Sequence, residues 1–170
     1  ISENVVMYAN GNGKWNPQDA FRPKGYDNRY TMMITNIDAP MDKWNFSTVL
    51  EEFAKNKGVQ KSKLKSTLGE TYEDELLEFA VSNAASIVQL ASLDLDSVGN
   101  DVADLQKESL AHPKTIYHLP REGYNDYYLI RGKVILFYKD RLKRIGGKMV
   151  PVEKVSDIWD DVLPNDIHNE

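Results

Sequence analysis

The chain has 170 residues, 21 basic and 26 acidic, for a formal net charge of -5, and no cysteine. That length suits one domain, and 41% hydrophobic residues is enough for a core. Without cysteine there is no disulfide framework, thiolate zinc site or thiol nucleophile. Three scattered histidines, His112, His118 and His168, lack ligand spacing. No apolar run approaches the roughly 18 residues of a membrane span, so no membrane contact is expected and the cytoplasm is the expected compartment. The first residue is Ile1 with no charged-then-apolar leader behind it, so the chain reads as a piece cut from a longer protein.

The elements follow in chain order. Asn4–Ala9 is a β-branched and aromatic run that predicts an N-terminal strand, and Gly11-Asn12-Gly13 predicts a turn. Residues 14–42 are polar and hold Pro17, Pro23 and Pro40, so they read as loop with a strand at Arg29–Ile34. Phe46, Val49, Leu50 and Phe53 share one face of a helix over 47–57. Thr48 with Glu51 makes a capping box, and Gly58 stops the helix. Tyr72, Leu76, Phe79, Ala80, Ala84, Ile87 and Leu90 keep three-four spacing and predict a second helix over 71–91. Its acidic first turns suit the helix dipole. A weaker third helix is predicted over 97–111, ending before Pro113. Thr115–Leu119, Tyr127–Ile130, Val134–Tyr138 and Leu142–Ile145 then read as an antiparallel meander, with turns at Arg131-Gly132-Lys133 and Gly146-Gly147. A short helix is predicted over Val155–Val162. The expected class is α+β in a single domain over 1–170: an N-terminal strand, two to three central helices and a C-terminal β-meander.

Charge is distributed unevenly. Residues 49–69 carry +3, residues 70–110 carry -9, residues 121–148 carry +5 and residues 149–170 carry -5. Local patches, more than the total, decide what a surface attracts.

Motifs for chemistry are thin. Gly11-Asn12-Gly13-Lys14 is followed by Trp15 rather than Ser or Thr, so it is no phosphate loop. No Glu-x-Lys or Asp-x-Lys occurs, which argues against a metal-dependent nuclease. There is no Gly-x-Ser-x-Gly elbow. The stretch with Lys61, Lys63 and Lys65 reads either as a solvated connector or as phosphate anchors, since lysine near DNA releases counterions. In 121–148, Arg121, Arg131, Lys133, Lys139, Arg141, Lys143 and Arg144 are interleaved with tyrosines. The two readings there are an ordinary sheet with a basic solvent face and a nucleic-acid surface. On a strand, Lys139, Arg141 and Lys143 would line one face. Tyr124 and Asn125 are the candidate polar readers.

Four segments carry a family likeness. They are Arg121-Glu-Gly-Tyr-Asn-Asp-Tyr-Tyr-Leu-Ile130, Val150-Pro-Val-Glu-Lys-Val-Ser-Asp-Ile-Trp-Asp-Asp161, Glu3-Asn-Val-Val-Met-Tyr-Ala9, and Asp27-Asn-Arg-Tyr30 with Trp44-Asn-Phe46. With them the chain resembles the middle-to-late part of bacterial adenine-specific DNA methyltransferases of the type III restriction-modification kind. The likeness is weak over 55–110 and good over 114–161. The family's Asp-Pro-Pro-Tyr catalytic motif and Phe-x-Gly-x-Gly cofactor loop are absent. The resemblance therefore implies the target recognition region of a parent enzyme that uses S-adenosylmethionine to methylate a flipped adenine. This piece would hold no cofactor and no catalytic residue. It would contact double-stranded DNA through Lys61, Lys63, Lys65, Arg121, Tyr124, Asn125, Arg131, Lys133, Lys139, Arg141, Lys143 and Arg144. The alternative is a protein-interaction module that meets a restriction subunit or a methyltransferase dimer partner through the acidic helix 71–91 and the apolar residues after it. An independent enzyme is a third reading, disfavoured by the missing motifs.

Overall fold

A computed structural model describes residues 21–154. The expected strand at 4–9, the turn at 11–13 and the helix at 155–162 lie outside these residues. The chain divides into two units. One is Ile1–Arg22 with Glu153–Glu170, in which Arg22 Nε donates to Glu153 Oε1 at 2.6 Å. The other, Pro23–Val152, carries nearly all the described structure.

Nine strands and four helices are described: β1 (Phe21–Pro23), β2 (Met32–Ile34), β3 (Phe46–Thr48), α1 (Val49–Lys57), α2 (Leu64–Leu68), α3 (Tyr72–Ser82), β4 (Ile87–Ser92), α4 (Asn100–Ala111), β5 (Tyr117–Leu119), β6 (Tyr127–Ile130), β7 (Lys133–Phe137), β8 (Leu142–Ile145) and β9 (Lys148–Lys154). The class is α+β. A six-stranded antiparallel sheet runs β3-β2-β4-β7-β6-β5, and a smaller sheet runs β1-β9-β8.

Alternation along the strands splits the core in two. On one face Met33, Ile87 and Leu136 pack with Val49 and Phe53 of α1, Leu64 of α2 and Tyr72, Leu76 and Ala80 of α3. On the other, Ile34, Val88, Ile130, Ile135 and Phe137 pack with Tyr128 and with Ile37, Met41 and Trp44 of the loop after β2. Helix α1 is built as its sequence dictates. Glu51 N–H donates to Thr48 Oγ1, Thr48 N–H donates to the Glu51 carboxylate, and Gly58 closes the helix at φ +66°. The capping bond holds Glu51 at about 2, well below the usual carboxylate range.

Two boundaries differ from the sequence reading. The helix expected over 71–91 ends at Ser82, where Asn83 turns back and its side chain donates to Phe79 O. Ile87–Ser92 is instead a strand in the middle of the large sheet. Ala84, Ile87 and Leu90 happen to keep helical spacing with the residues before them. A short apolar run cannot be told from buried helix by periodicity alone, and here pairing on both edges decides. The meander also stops after three strands. β5, β6 and β7 are consecutive neighbours, but β7 pairs next with β4. A 3-10 turn at Tyr138–Arg141 then sends β8 away to pair with β9. The strand expected over 29–34 is shortened to β2, and the third helix to α4.

The β6–β7 turn is clamped by α4. Arg131 and Gly132 both take positive φ, +53° and +71°, as a two-residue hairpin of this twist requires. Gly132 N–H donates to Ser109 Oγ at 2.6 Å, and Gln106 Nε2 donates to Gly132 O. Ser109 is fully buried. Replacing it strands the Gly132 N–H, so Ser109→Ala should cost about 1–3 kcal/mol. Urea unfolding should show a lower midpoint at unchanged slope.

Candidate nucleic-acid interface

The basic residues singled out by sequence fall into separate groups. Lys61 and Lys65 border a cavity of about 370 Å³ that Tyr26, Leu50, Tyr72 and Leu76 help to line. Lys61 Nζ reaches Thr48 Oγ1 and Glu51 Oε1, and Lys65 Nζ lies 5.2 Å from the centre of the Tyr72 ring. These two lysines are thus braced against the helices. Lys63 is exposed in the 3-10 turn between them. Arg131 and Lys133 sit at the β6–β7 turn, where Arg131 Nε donates to Pro113 O at 3.4 Å.

The alternation expected for Lys139, Arg141 and Lys143 does not hold. Lys139 and Arg141 lie in the 3-10 turn, and only Lys143 is on a strand. Arg141 Nε donates to Tyr30 Oη at 3.1 Å, beside a buried tyrosine cluster. There Tyr138 packs with Tyr26 and Tyr30 at centroid separations of 5.6 and 5.0 Å. Burial pushes the Tyr138 hydroxyl up to about 12, and burial raises Tyr26 as well. Arg141 therefore braces the fold.

The loop between β5 and β6 is a rigid platform. Arg121 N–H donates to Asp126 Oδ1, and Arg121 Nε donates to Asn125 O, both at 3.0 Å. The Arg121 guanidinium lies 4.2 Å from the Tyr127 ring centre and 5.1 Å from that of Tyr124. Tyr124 is left 75% exposed. His118 faces Tyr128 in register, their rings stacked at 4.6 Å and 11°, and His118 Nε2 sits 2.8 Å from Asp126 Oδ2. Tyr128 in turn packs on Trp44 and Phe137. Beside this aromatic group a cavity of about 350 Å³ is lined in part by Asn125, Lys139 and Asp140, so Asn125 and Lys139, distant in sequence, come together.

The β8–β9 hairpin is the most open cationic feature. Residues 143–149 are all exposed, so both faces of the ribbon meet solvent. They include Lys143, Arg144 and Lys148, no carboxylate, and Ile145 and Met149, each 42% exposed. Gly146 and Gly147, at φ +56° and +83°, make its tip. Sequence reasoning named Lys143 and Arg144 but not Lys148, Ile145 or Met149. Only the pairing with β9 reveals them as one projecting ribbon. His118, Trp44 and Tyr128 were also missed as a site, because register brings them together across three segments.

Among the described residues no cluster of three or more His, Asp or Glu could hold a metal, and no helix is long and apolar enough to cross a membrane. Comparison with protein-family models, with curated proteins and with solved structures finds no match to this chain.

The His118 bond, and then the Arg121 N–H, hold the Asp126 carboxyl below its ordinary 3.8. A lowered pKa in the folded state means the bracing is present above that value and is lost as pH falls through the folded pKa. NMR titration should show Asp126 ionising below 3.8, with the amides of 121–126 losing protection only under more acidic conditions. His118→Ala should move the Asp126 midpoint upward.

Proposed function

We propose that this chain is a duplex-DNA contact module, the target recognition segment of a larger adenine-specific DNA methyltransferase that uses S-adenosylmethionine. The single observation that carries the reading is the β8–β9 ribbon. It presents three cations and no carboxylate over seven exposed residues. The major groove of B-DNA, about 12 Å wide, admits a two-stranded ribbon. Lysines there fix position on the phosphates, and Arg144 has the planar fork suited to a base edge. The braced β5–β6 loop offers Arg121, Tyr124 and Asn125 as a second contact. The acidic helix α3 faces away from any such role by charge, and it leaves the ribbon as the favoured edge for a polyanion.

The alternative, a docking surface for a restriction subunit or a second methyltransferase subunit on the acidic helix, is weakened by burial. Tyr72, Leu76 and Ala80 of α3 point into the core, and Ile87 and Val88 behind them are fully buried in β4.

Replacing Lys143, Arg144 and Lys148 together with alanine should leave the fold intact, since all three are exposed. Binding of the chain to a 20-base-pair duplex should weaken at least tenfold near 0.1 M salt. The slope of log affinity against log salt should fall by about 3, roughly one unit per lost phosphate contact. Unchanged affinity and slope would remove the ribbon from the interface. Arg141→Ala should instead lower stability, through its bond to Tyr30.

A further inference from the structure

We infer that the cavity between the Trp44–Tyr128–Phe137 cluster and the Tyr138–Arg141 turn receives a single unstacked nucleobase from the bound duplex, an inference that rests on the ribbon reading above. Its volume, about 350 Å³, is at the small end of ligand pockets. Its walls are mixed in the way a base requires. Aromatic rings supply a flat apolar surface, and base stacking on such rings is tolerant of sequence. Asn125 supplies both a donor and an acceptor, Lys139 a donor and Asp140 an acceptor for ring and exocyclic N–H groups. Asp126, which also lines the cavity, already accepts from Arg121 N–H and faces His118, so Asp140 is the carboxylate left for a ligand. A simple anion would meet two carboxylates here, and a purely apolar ligand would bury four polar side chains. A base, flat and edged with donors and acceptors, satisfies both constraints.

Position supports the same occupant. Asp140 on the cavity rim and Lys143 at the root of the ribbon are three residues apart, a span of at most about 11 Å. One turn of DNA is about 34 Å. A duplex held on the ribbon therefore passes within reach of the cavity mouth. Stacking in the cavity offsets the few kcal/mol of unstacking, and the requirement is smallest where a base is already unpaired.

The test compares three duplexes bound by the full 170-residue chain: fully paired, carrying one bulged adenine, and carrying an abasic bulge of the same backbone. The bulged adenine should raise affinity about tenfold over the paired duplex, and the abasic bulge should not. Asn125→Ala and Tyr128→Leu should each abolish that gain while leaving affinity for the paired duplex unchanged. Asn125 is exposed, so its variant reads the site even if Tyr128→Leu disturbs the aromatic cluster. Equal affinity for abasic and adenine bulges, or a gain that survives Asn125→Ala, would overturn the pocket while leaving duplex contact by the ribbon standing. Failure of the paired duplex to bind at all would instead count against the ribbon reading beneath it.

Discussion

The antiparallel pairing of β4 with β7 is the constraint on which the rest of the fold depends. Five residues of β4, Val88 to Ser92, stand opposite Phe137 to Lys133. β4 also pairs with β2 on its other edge, so it joins the N-terminal β2–β3 pair to the C-terminal β5–β6–β7 meander. Ile87 and Val88 are fully buried, on opposite faces. Burying each contributes about 1.5–3 kcal/mol, and each face of the sheet takes one of them. Neither cluster could close without this strand.

The pairing also determines where the chain can project. With β4 on its free edge, β7 has no room for β8, and the chain must turn. Tyr138 is buried as it does so, and Lys139 N–H donates to Ala84 O at the end of the preceding helix-to-strand turn. The turn sets Lys139 and Asp140 at the aromatic cavity and releases β8 into the exposed ribbon. A packing requirement in the core is thus linked through four residues to the two features proposed to meet DNA.

Much of this was legible in the sequence where local signals are strong. The capping box at Thr48 and Glu51, the stop at Gly58 and the Arg131-Gly132 turn each depend on residues within a few positions, and each formed as read. The strands at Tyr127–Ile130 and Leu142–Ile145 match to the residue. β4 was not legible, because its apolar spacing continues that of α3 and only its partners distinguish the two. The stop signal was Asn83, followed by a β-branched pair, Ile87 and Val88. The candidate site was legible as composition and not as geometry. The basic residues of 121–148 were visible, yet Arg141 turned inward to Tyr30 while Lys148 joined the ribbon, and those outcomes depend on contacts between residues far apart in the chain.

Hydrogen exchange of the chain with and without a 20-base-pair duplex tests the central claim most directly. The account predicts new protection at residues 143–149 and 121–126, with α3 unchanged. Protection confined to α3, with the ribbon amides exchanging as in the free chain, would contradict it.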